Sequence, residues 1–207
     1  LFSTPCNIEN HELFTTASIG VSVYPQDGLD SETLLKKADA ALYHAKELGR
    51  NQYQFYQEEF NQQIAQRAEL TAALSEALKN KELFLNYQPL INLETSHIIG
   101  VEALLRWKHP TLGVITPTTF IPVAEESNLI IPIGEWVLRT ACVQAKRWHQ
   151  LSAYPKLKIS VNISVKQFQQ KNFTSFVRNV LKETALSPDC LELEITEGLI
   201  LSNIDDV

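Results

Sequence analysis

The chain has 207 residues, of which 44% are hydrophobic and 20% are charged, a composition typical of a globular protein with a substantial apolar core. Its formal net charge of −6 argues against a binding surface for a nucleic-acid polymer, because neutralising many phosphates requires a basic face. The three cysteines lie far apart in the sequence and lack paired spacing, which favours neither a disulfide framework nor a zinc site. A reducing, cytoplasmic location is therefore expected.

No segment of the sequence has the length and apolar character of a membrane span. The most apolar stretch, residues 129–138, is interrupted by Pro132, Gly134 and Glu135, and it is far shorter than the roughly 20 residues needed to cross a bilayer. No export signal is visible at the N-terminus. Because the chain contains no methionine, we expect it to be part of a longer protein, in which segments before Leu1 could provide a membrane anchor.

The segment 1–56 has the pattern of the end of an α+β domain. Residues 15–23 alternate with a period of two and are rich in β-branched side chains, which predicts a strand. Ser31 is a candidate N-cap for a helix with apolar residues at helical spacing, and Gly49 is placed to end that helix. A short strand over residues 52–56 follows.

A long helix is predicted to link this segment to the rest of the chain. The linking segment, residues 57–79, lacks proline and glycine and is rich in Gln, Ala, Glu and Leu. Two strands follow, 83–88 and 98–107, and the polar turn between them predicts a hairpin. The chain is thus predicted to contain the end of one domain, a linking helix, and the start of a second domain over residues 80–207.

Strands and helices alternate over the second half of the chain. Pro117 stands at the first position of a short helix that runs toward Glu126, and residues 133–151 form a longer amphipathic helix. This alternation predicts a parallel sheet of the α/β class, either a (β/α) barrel or a doubly wound sheet. The last three elements are predicted to form a βαβ unit: strand 157–163, helix 173–184 and strand 191–196.

Polar side chains occupy one face of each of these strands. By the parity of a strand, Glu102, Asn162 and Glu194 lie opposite the apolar face. In a parallel sheet covered by helices, such carboxylates are costly unless a metal, a cation or water compensates them. These three residues offer only oxygen ligands, which suits Mg²⁺, Mn²⁺ or Ca²⁺ rather than zinc. Arg106 shares a face with Glu102 and could contact a phosphate.

A plainer interpretation stays open from parity alone. An antiparallel sheet with one solvated face would expose Glu102, Glu192 and Glu194 without giving them a function. The five histidines show no metal-ligand spacing, and the sequence has neither a nucleophile elbow nor a glycine-rich phosphate loop. Lys46 and Arg50 are explained equally well as solvated charges that complement the end of a helix.

Three sequence blocks, in order, resemble one known family. They read EALLRW at 102–107, VNIS at 161–164 followed by Gln167, and LELEITE at 191–197. This arrangement closely resembles the EAL family of cyclic di-GMP phosphodiesterases, and the likeness extends from about residue 70 to residue 207. Further runs also match the family, at Tyr87-Gln88-Pro89, at residues 120–126 and at residues 133–138.

The beginning of the chain resembles a second family. The runs ASIGVS at 17–22, ADAALY at 38–43 and GRN at 49–51 look like the end of a GGDEF domain, the diguanylate cyclase fold that often precedes EAL. The Gly-Gly-Asp-Glu-Phe signature is absent, so cyclase activity is not assigned. In relatives, the lysine that matches Lys46 lies near nucleotide phosphates. Residues 1–56 are thus identified as the C-terminal part of a GGDEF domain.

The resemblance implies a partial TIM-like (β/α) barrel, with residues 80–207 forming the N-terminal half of an EAL domain. The reaction that it implies is hydrolysis of cyclic di-GMP to linear pGpG, with two Mg²⁺ or Mn²⁺ ions beside the scissile phosphate and with Ca²⁺ inhibitory. A homodimer through the EAL domain is also implied. The implied site residues are the metal ligands Glu102, Asn162 and Glu194, of which the two glutamates are catalytic, the substrate-binding Gln88 and Arg106, and the loop-supporting Glu197.

Part of the family pattern has no match before residue 207. The Asp-Asp-Phe-Gly block, a later lysine and a last glutamate are not found, and Asp205-Asp206 follow Glu194 too closely to be that aspartate pair. Little turnover is therefore expected from this chain alone. Two alternatives to the enzyme stay open: a receptor that binds cyclic di-GMP without cleaving it, and a remnant without activity.

Overall fold

A computed structural model describes residues 6–8, 11–13, 15–151 and 156–195. The chain divides into two compact units, Leu1–Glu69 and Leu70–Val207. The division into residues 1–56, 57–79 and 80–207 stays a prediction. Among the described residues, no helix combines the length and the apolar character needed to cross a membrane.

The first unit contains two small sheets. An antiparallel pair is formed by β1 (Cys6–Ile8) and β2 (His11–Leu13). A parallel pair is formed by β3 (Ile19–Val21) and β4 (Tyr53–Phe55), and helix α1 (Ser31–Glu47) connects these two strands. The β1 and β2 strands were not predicted, because three residues are too few to display a period.

Strand β3 is shorter than the predicted strand 15–23, because only Ile19–Val21 pair with β4. It packs directly against α1. A Cβ atom on Gly20 would lie 1.9 Å from the carbonyl oxygen of Ala38, so this close approach requires glycine. The hydroxyl of Ser22 also donates a hydrogen bond to the carbonyl oxygen of Leu34, at 2.8 Å.

The N-cap of α1 corrects one prediction. Asp30 rather than Ser31 caps the helix, and its carboxylate accepts a hydrogen bond from the backbone N–H of Thr33 at 2.8 Å. Aspartate and serine are comparable N-caps, so the sequence offered two adjacent candidates. Gly49 follows the end of the helix with a φ of 106°, as predicted for a residue that can adopt the left-handed region without strain.

Helix α2 (Glu58–Ala77) corresponds to the predicted linking helix. Its first turn contributes Phe60 to a small core that also contains Tyr56, Ala40 and Ala41. The α1 and α2 helices therefore bury apolar side chains between them within the first unit. The hydroxyl of Tyr56 is satisfied by a polar partner, because it accepts a hydrogen bond from the Asn61 side chain at 2.6 Å.

The second unit is built on a mixed sheet with the order β5, β6, β8, β9, in which β7 pairs with β6. The predicted hairpin is present as the antiparallel β5 and β6, whereas β6, β8 and β9 are parallel. The alternative of an antiparallel sheet is therefore wrong for these three strands. The strands are β5 (Leu83–Ile91), β6 (Ile98–His109), β7 (Gly113–Ile115), β8 (Lys158–Ile163) and β9 (Leu191–Ile195).

Helical crossovers make the strands parallel. Two helices connect β6 to β8, and two helices and a 3₁₀ turn connect β8 to β9, as parallel strands require. The short β7 and α5 were not predicted, since neither completes a recognisable period. The helices are α3 (Pro117–Glu126), α4 (Ile130–His149), α5 (Val165–Phe168) and α6 (Phe173–Thr184), followed by the 3₁₀ turn Pro188–Cys190.

The core of the second unit lies on one face of the sheet. Trp107 of β6 is fully buried and meets Phe120 of α3 edge to face, with ring centroids 5.7 Å apart. The Trp107 indole N–H donates a hydrogen bond to the carboxylate of Glu82 at 2.9 Å. Residues Ile159 and Ile163 of β8 join the same core. The sheet is open, and the fold is a partial TIM-like α/β fold.

Candidate functional site

Polar residues of four strands form a row across the face of the sheet that is turned away from the core. Gln88 of β5 lies opposite Glu102 of β6. Glu102 is in turn in register with Ser160 of β8, and Ser160 with Glu192 of β9. Because neighbouring strands are about 4.8 Å apart, adjacent side chains of this row are within reach of one another.

The next row toward the carboxyl ends of β8 and β9 contains Asn162 and Glu194. These two residues are in register with each other. The amide nitrogen Nδ2 of Asn162 donates a hydrogen bond to Oε1 of Glu102 at 2.7 Å. The structure thus brings two of the three predicted metal ligands into contact and places the third on the neighbouring strand.

The three side chains retain oxygen atoms that a cation can use. Over residues 15–151 and 156–195, the carboxylate of Glu194 and the Oδ1 atom of Asn162 take part in no hydrogen bond or ion pair. Carboxylate and amide oxygens are the ligands that hard divalent cations prefer. No group of three or more His, Cys, Asp or Glu suited to a metal occurs among the described residues, and the predicted set contains only two residues of those types.

Glu192 has a different role from Glu194, although both lie on the same face of β9. Its Oε1 atom accepts a hydrogen bond from Lys158 Nζ at 2.5 Å, and its Oε2 atom accepts one from the Ser160 hydroxyl at 3.3 Å. The hydrogen bond and the charge of Lys158 lower the pKa of Glu192, and the same hydrogen bond raises the pKa of Lys158. The charge of Glu192 is therefore balanced by Lys158, a side chain of the protein.

The two predicted substrate-binding residues lie on the expected face. Gln88 is exposed, opposite Glu102. Arg106 is half-buried, and its Nη1 atom donates a hydrogen bond to the carbonyl oxygen of Leu105 at 2.8 Å. This bond holds the guanidinium against its own backbone and leaves its other N–H groups for a ligand.

A cavity of about 220 Å³ opens at the carboxyl ends of β6 and β8. Arg106, Asn162, Glu125 and Gln167 contribute polar groups to its lining, which is otherwise mainly apolar. Burial raises the pKa of Glu125. Glu125 and Gln167 lie in sequence runs that match the family, but they were not predicted as site residues, since no parity or ligand spacing distinguishes them.

Lys46 and Glu197 complete the set of predicted residues. Lys46 is exposed near the end of α1, in the first unit. Glu197 lies outside the described residues. Their predicted roles, contact with nucleotide phosphates and support of an active-site loop, stay predictions.

The sequence of the chain matches the profiles of two known families. The family profile described as EAL domain matches residues 71–207, and the chain belongs to this family. The profile described as diguanylate cyclase, GGDEF domain, matches residues 1–52. The resemblance found in the sequence is thereby confirmed. EAL domains use a divalent metal.

Named relatives share this organisation. An uncharacterized signaling protein of Caulobacter vibrioides is 43% identical over 203 residues, which are 98% of this chain and 24% of the relative. MucR of Pseudomonas aeruginosa, a bifunctional diguanylate cyclase/cyclic di-GMP phosphodiesterase, is 42% identical over 203 residues, 98% of this chain and 30% of MucR. The chain therefore spans between 24% and 30% of the length of these relatives.

A solved structure supports the same relationship. The structure of the PaMucR phosphodiesterase in complex with c-di-GMP is similar to this chain with a TM-score of 0.63 and 42% sequence identity. The match covers 66% of this chain and 55% of that chain.

Proposed function

We propose that the protein containing this chain hydrolyses cyclic di-GMP to linear pGpG with the help of divalent Mg²⁺ or Mn²⁺ ions. The observation that carries this proposal is the register of the parallel strands, which brings Glu102, Asn162 and Glu194 together on one face. The contact of 2.7 Å between Asn162 and Glu102 supports it further. The cyclic di-GMP phosphodiesterase activity of the relative MucR and the ligand of the PaMucR structure support cyclic di-GMP as the substrate.

The residues of the site have separable roles in this proposal. Glu102, Asn162 and Glu194 would hold the metal through their oxygen atoms, and the hydrogen bond from Asn162 fixes the direction of the Glu102 carboxylate. A bound divalent ion lowers the pKa of a metal-bound water and stabilises the oxygen displaced from phosphorus. Gln88 and Arg106 would bind the dinucleotide, and a guanidinium can pair with a phosphate through two parallel hydrogen bonds.

Several finer predictions belong to the same proposal. Ca²⁺ is expected to inhibit, because it accepts more ligands at longer and more variable distances than Mg²⁺ and so positions them less strictly. Glu197 would brace a loop of the site, and Lys46 would contact nucleotide phosphates in the GGDEF part. A homodimer through the EAL domain and a cytoplasmic location complete the proposal.

The proposal is tested by the hydrolysis of cyclic di-GMP by the full-length protein. We expect linear pGpG to form with Mg²⁺ or Mn²⁺, and we expect Glu102→Gln to reduce the rate at least about 100-fold, since metal catalysis supplies several kcal/mol. The glutamine retains an acceptor for Asn162 and removes only the charge. Glu94→Gln, in the exposed turn between β5 and β6, is the matched control. Tight binding of cyclic di-GMP by the unaltered protein, without any metal-dependent product, would instead establish a receptor.

A further inference from the structure

A single buried side chain, Gln167, holds the turn that follows Asn162. Strand β8 ends at Ile163, and Ser164 is the N-cap of α5. The Oε1 atom of Gln167 accepts hydrogen bonds from the Ser164 N–H at 3.2 Å and from the Ser164 hydroxyl at 3.0 Å. The Gln167 N–H donates to the Ser164 hydroxyl at 3.3 Å in return, which completes a capping box.

The carboxamide of Gln167 lies directly on the backbone of α4 at Gly134. A Cβ atom at Gly134 would lie 1.8 Å from Nε2 and 2.4 Å from Cδ of Gln167, so any side chain there must displace the glutamine. Glycine inside a helix is unfavourable unless packing requires it. Here the required contact is with Gln167, which is only 6% exposed.

This contact joins α4 to the part of β8 that carries the proposed site. Gln167 lines the same cavity as Asn162 and Arg106. The segment from Asn162 to Ser164 is therefore fixed at both ends. The strand pairing of β8 holds its beginning, and the hydrogen bonds between Ser164 and Gln167 hold its end. A backbone fixed at both ends restricts the orientation of the Asn162 side chain. Metal ligands must be held within about 0.5 Å of their productive positions.

We propose that Gln167 is the positioning residue of Asn162. By holding Ser164 against α4, it sets the backbone at the end of β8 and thus the angle at which the Asn162 amide meets Glu102. Gly134 is also required for this positioning, because its missing side chain leaves the space that Gln167 occupies. This inference rests on the proposed function, in which Asn162 and Glu102 hold the metal, and it assigns Gln167 a role that acts through Asn162.

The test is a double-mutant cycle on Mn²⁺ affinity, measured in the full-length protein by titration calorimetry. Gly134→Ala and Gln167→Ala should each weaken Mn²⁺ binding about tenfold, the lower end of the effect of residues that orient metal ligands. The double variant should be no weaker than Gln167→Ala, since the added methyl group then displaces nothing. Additive losses, or wild-type affinity in both single variants, would overturn the proposal.

A conservative variant and a control separate positioning from general packing. Gln167→Glu keeps an acceptor oxygen for Ser164 in the capping box, so it should recover most of the Mn²⁺ affinity that Gln167→Ala loses. Gln169→Ala removes an exposed glutamine that follows α5, and it should leave the affinity unchanged. If both variants show the wild-type thermal transition, a loss of Mn²⁺ affinity in Gln167→Glu as large as that in Gln167→Ala would contradict the positioning role of Gln167.

Binding and catalysis are measured independently in this design. A protein that binds Mn²⁺ but forms no pGpG would exclude the proposed hydrolysis while leaving the cycle on Gln167 interpretable. A protein that forms pGpG, with the Mn²⁺ affinity of every Gln167 and Gly134 variant equal to that of the unaltered chain, would exclude the positioning role alone.

Discussion

The two faces of the sheet in the second unit alternate residue by residue and differ in what they contact. Val161 and Ile163 are each 1% exposed and pack among the helices. Glu102, Asn162 and Glu194 point to the other face, where they are half-buried or exposed. One face therefore provides stability through apolar burial, while the other can carry charge without the desolvation cost of the core.

A second contrast lies within the polar face itself. Glu192 lies in the same row as Glu102 and is held by Lys158 and Ser160, one row before Asn162 and Glu194. Glu194 has no such partner in the described part of the chain. Lys158 and Ser160 thus satisfy the carboxylate of Glu192, whereas the carboxylate of Glu194 stays available to a ligand. Substitutions of these two glutamates on β9 can test the difference.

The largest effect is expected from Glu194→Gln. Removing this charge should weaken the metal site and reduce the hydrolysis of cyclic di-GMP at least about 100-fold, because the metal supplies several kcal/mol of catalysis. The unfolding transition should stay within about 0.5 kcal/mol of the original, as for other exposed positions. Initial rates with saturating Mn²⁺ and urea denaturation measure the two quantities.

Glu192→Gln is the control for that comparison, since it makes the same chemical change on the same face of β9. Its rate should fall by no more than about twofold, which corresponds to the small effect of a surface substitution. Equal loss of activity in the two variants would show that the two carboxylates of β9 are not functionally distinct.

A large effect on stability is expected from Ile163→Ala, next to Asn162 in the chain. The isoleucine is 1% exposed in the core, and its truncation should lower the free energy of unfolding by about 2–5 kcal/mol. Urea denaturation of the full-length protein measures this change. Asn162→Ala provides the opposite case, with activity lost and stability retained. Indistinguishable urea midpoints for Ile163→Ala and the unaltered chain would contradict the division between the two faces.

The long elements and the polar face could be predicted because they have a period. In β8 the alternation of Ile159, Val161 and Ile163 with polar residues assigns each side chain to a face without any knowledge of its neighbours. Parity does not determine which residues lie side by side. The register between Asn162 and Glu194 is set by the pairing of β8 with β9, which depends on packing and on the crossover.

Contacts between distant parts of the chain could not be predicted in this way. No sequence pattern predicts that Gly134 contacts Gln167, since that contact requires the approach of α4 to the end of β8. The ion pair of Lys158 and Glu192 depends on the same strand register. At Asp30 and Ser31, by contrast, the ambiguity was local, because two good N-caps stood side by side.

The smallest effect is expected from the pair of Lys158 and Glu192, and it should depend on pH. The pKa of Glu192 is lowered from 4.5 in the folded protein, so its stabilisation is present above pH 4.5 and is lost as the pH falls through the lowered pKa. The pKa of Lys158 is raised from 10.5, so the pair also weakens as the pH rises through that raised value. Urea midpoints of Glu192→Gln and the unaltered chain should therefore differ between these limits and converge below them, and the difference should shrink at high salt because the pair is exposed. A difference that persists unchanged to pH 2 would show that Glu192 stabilises the fold by some means other than its charge.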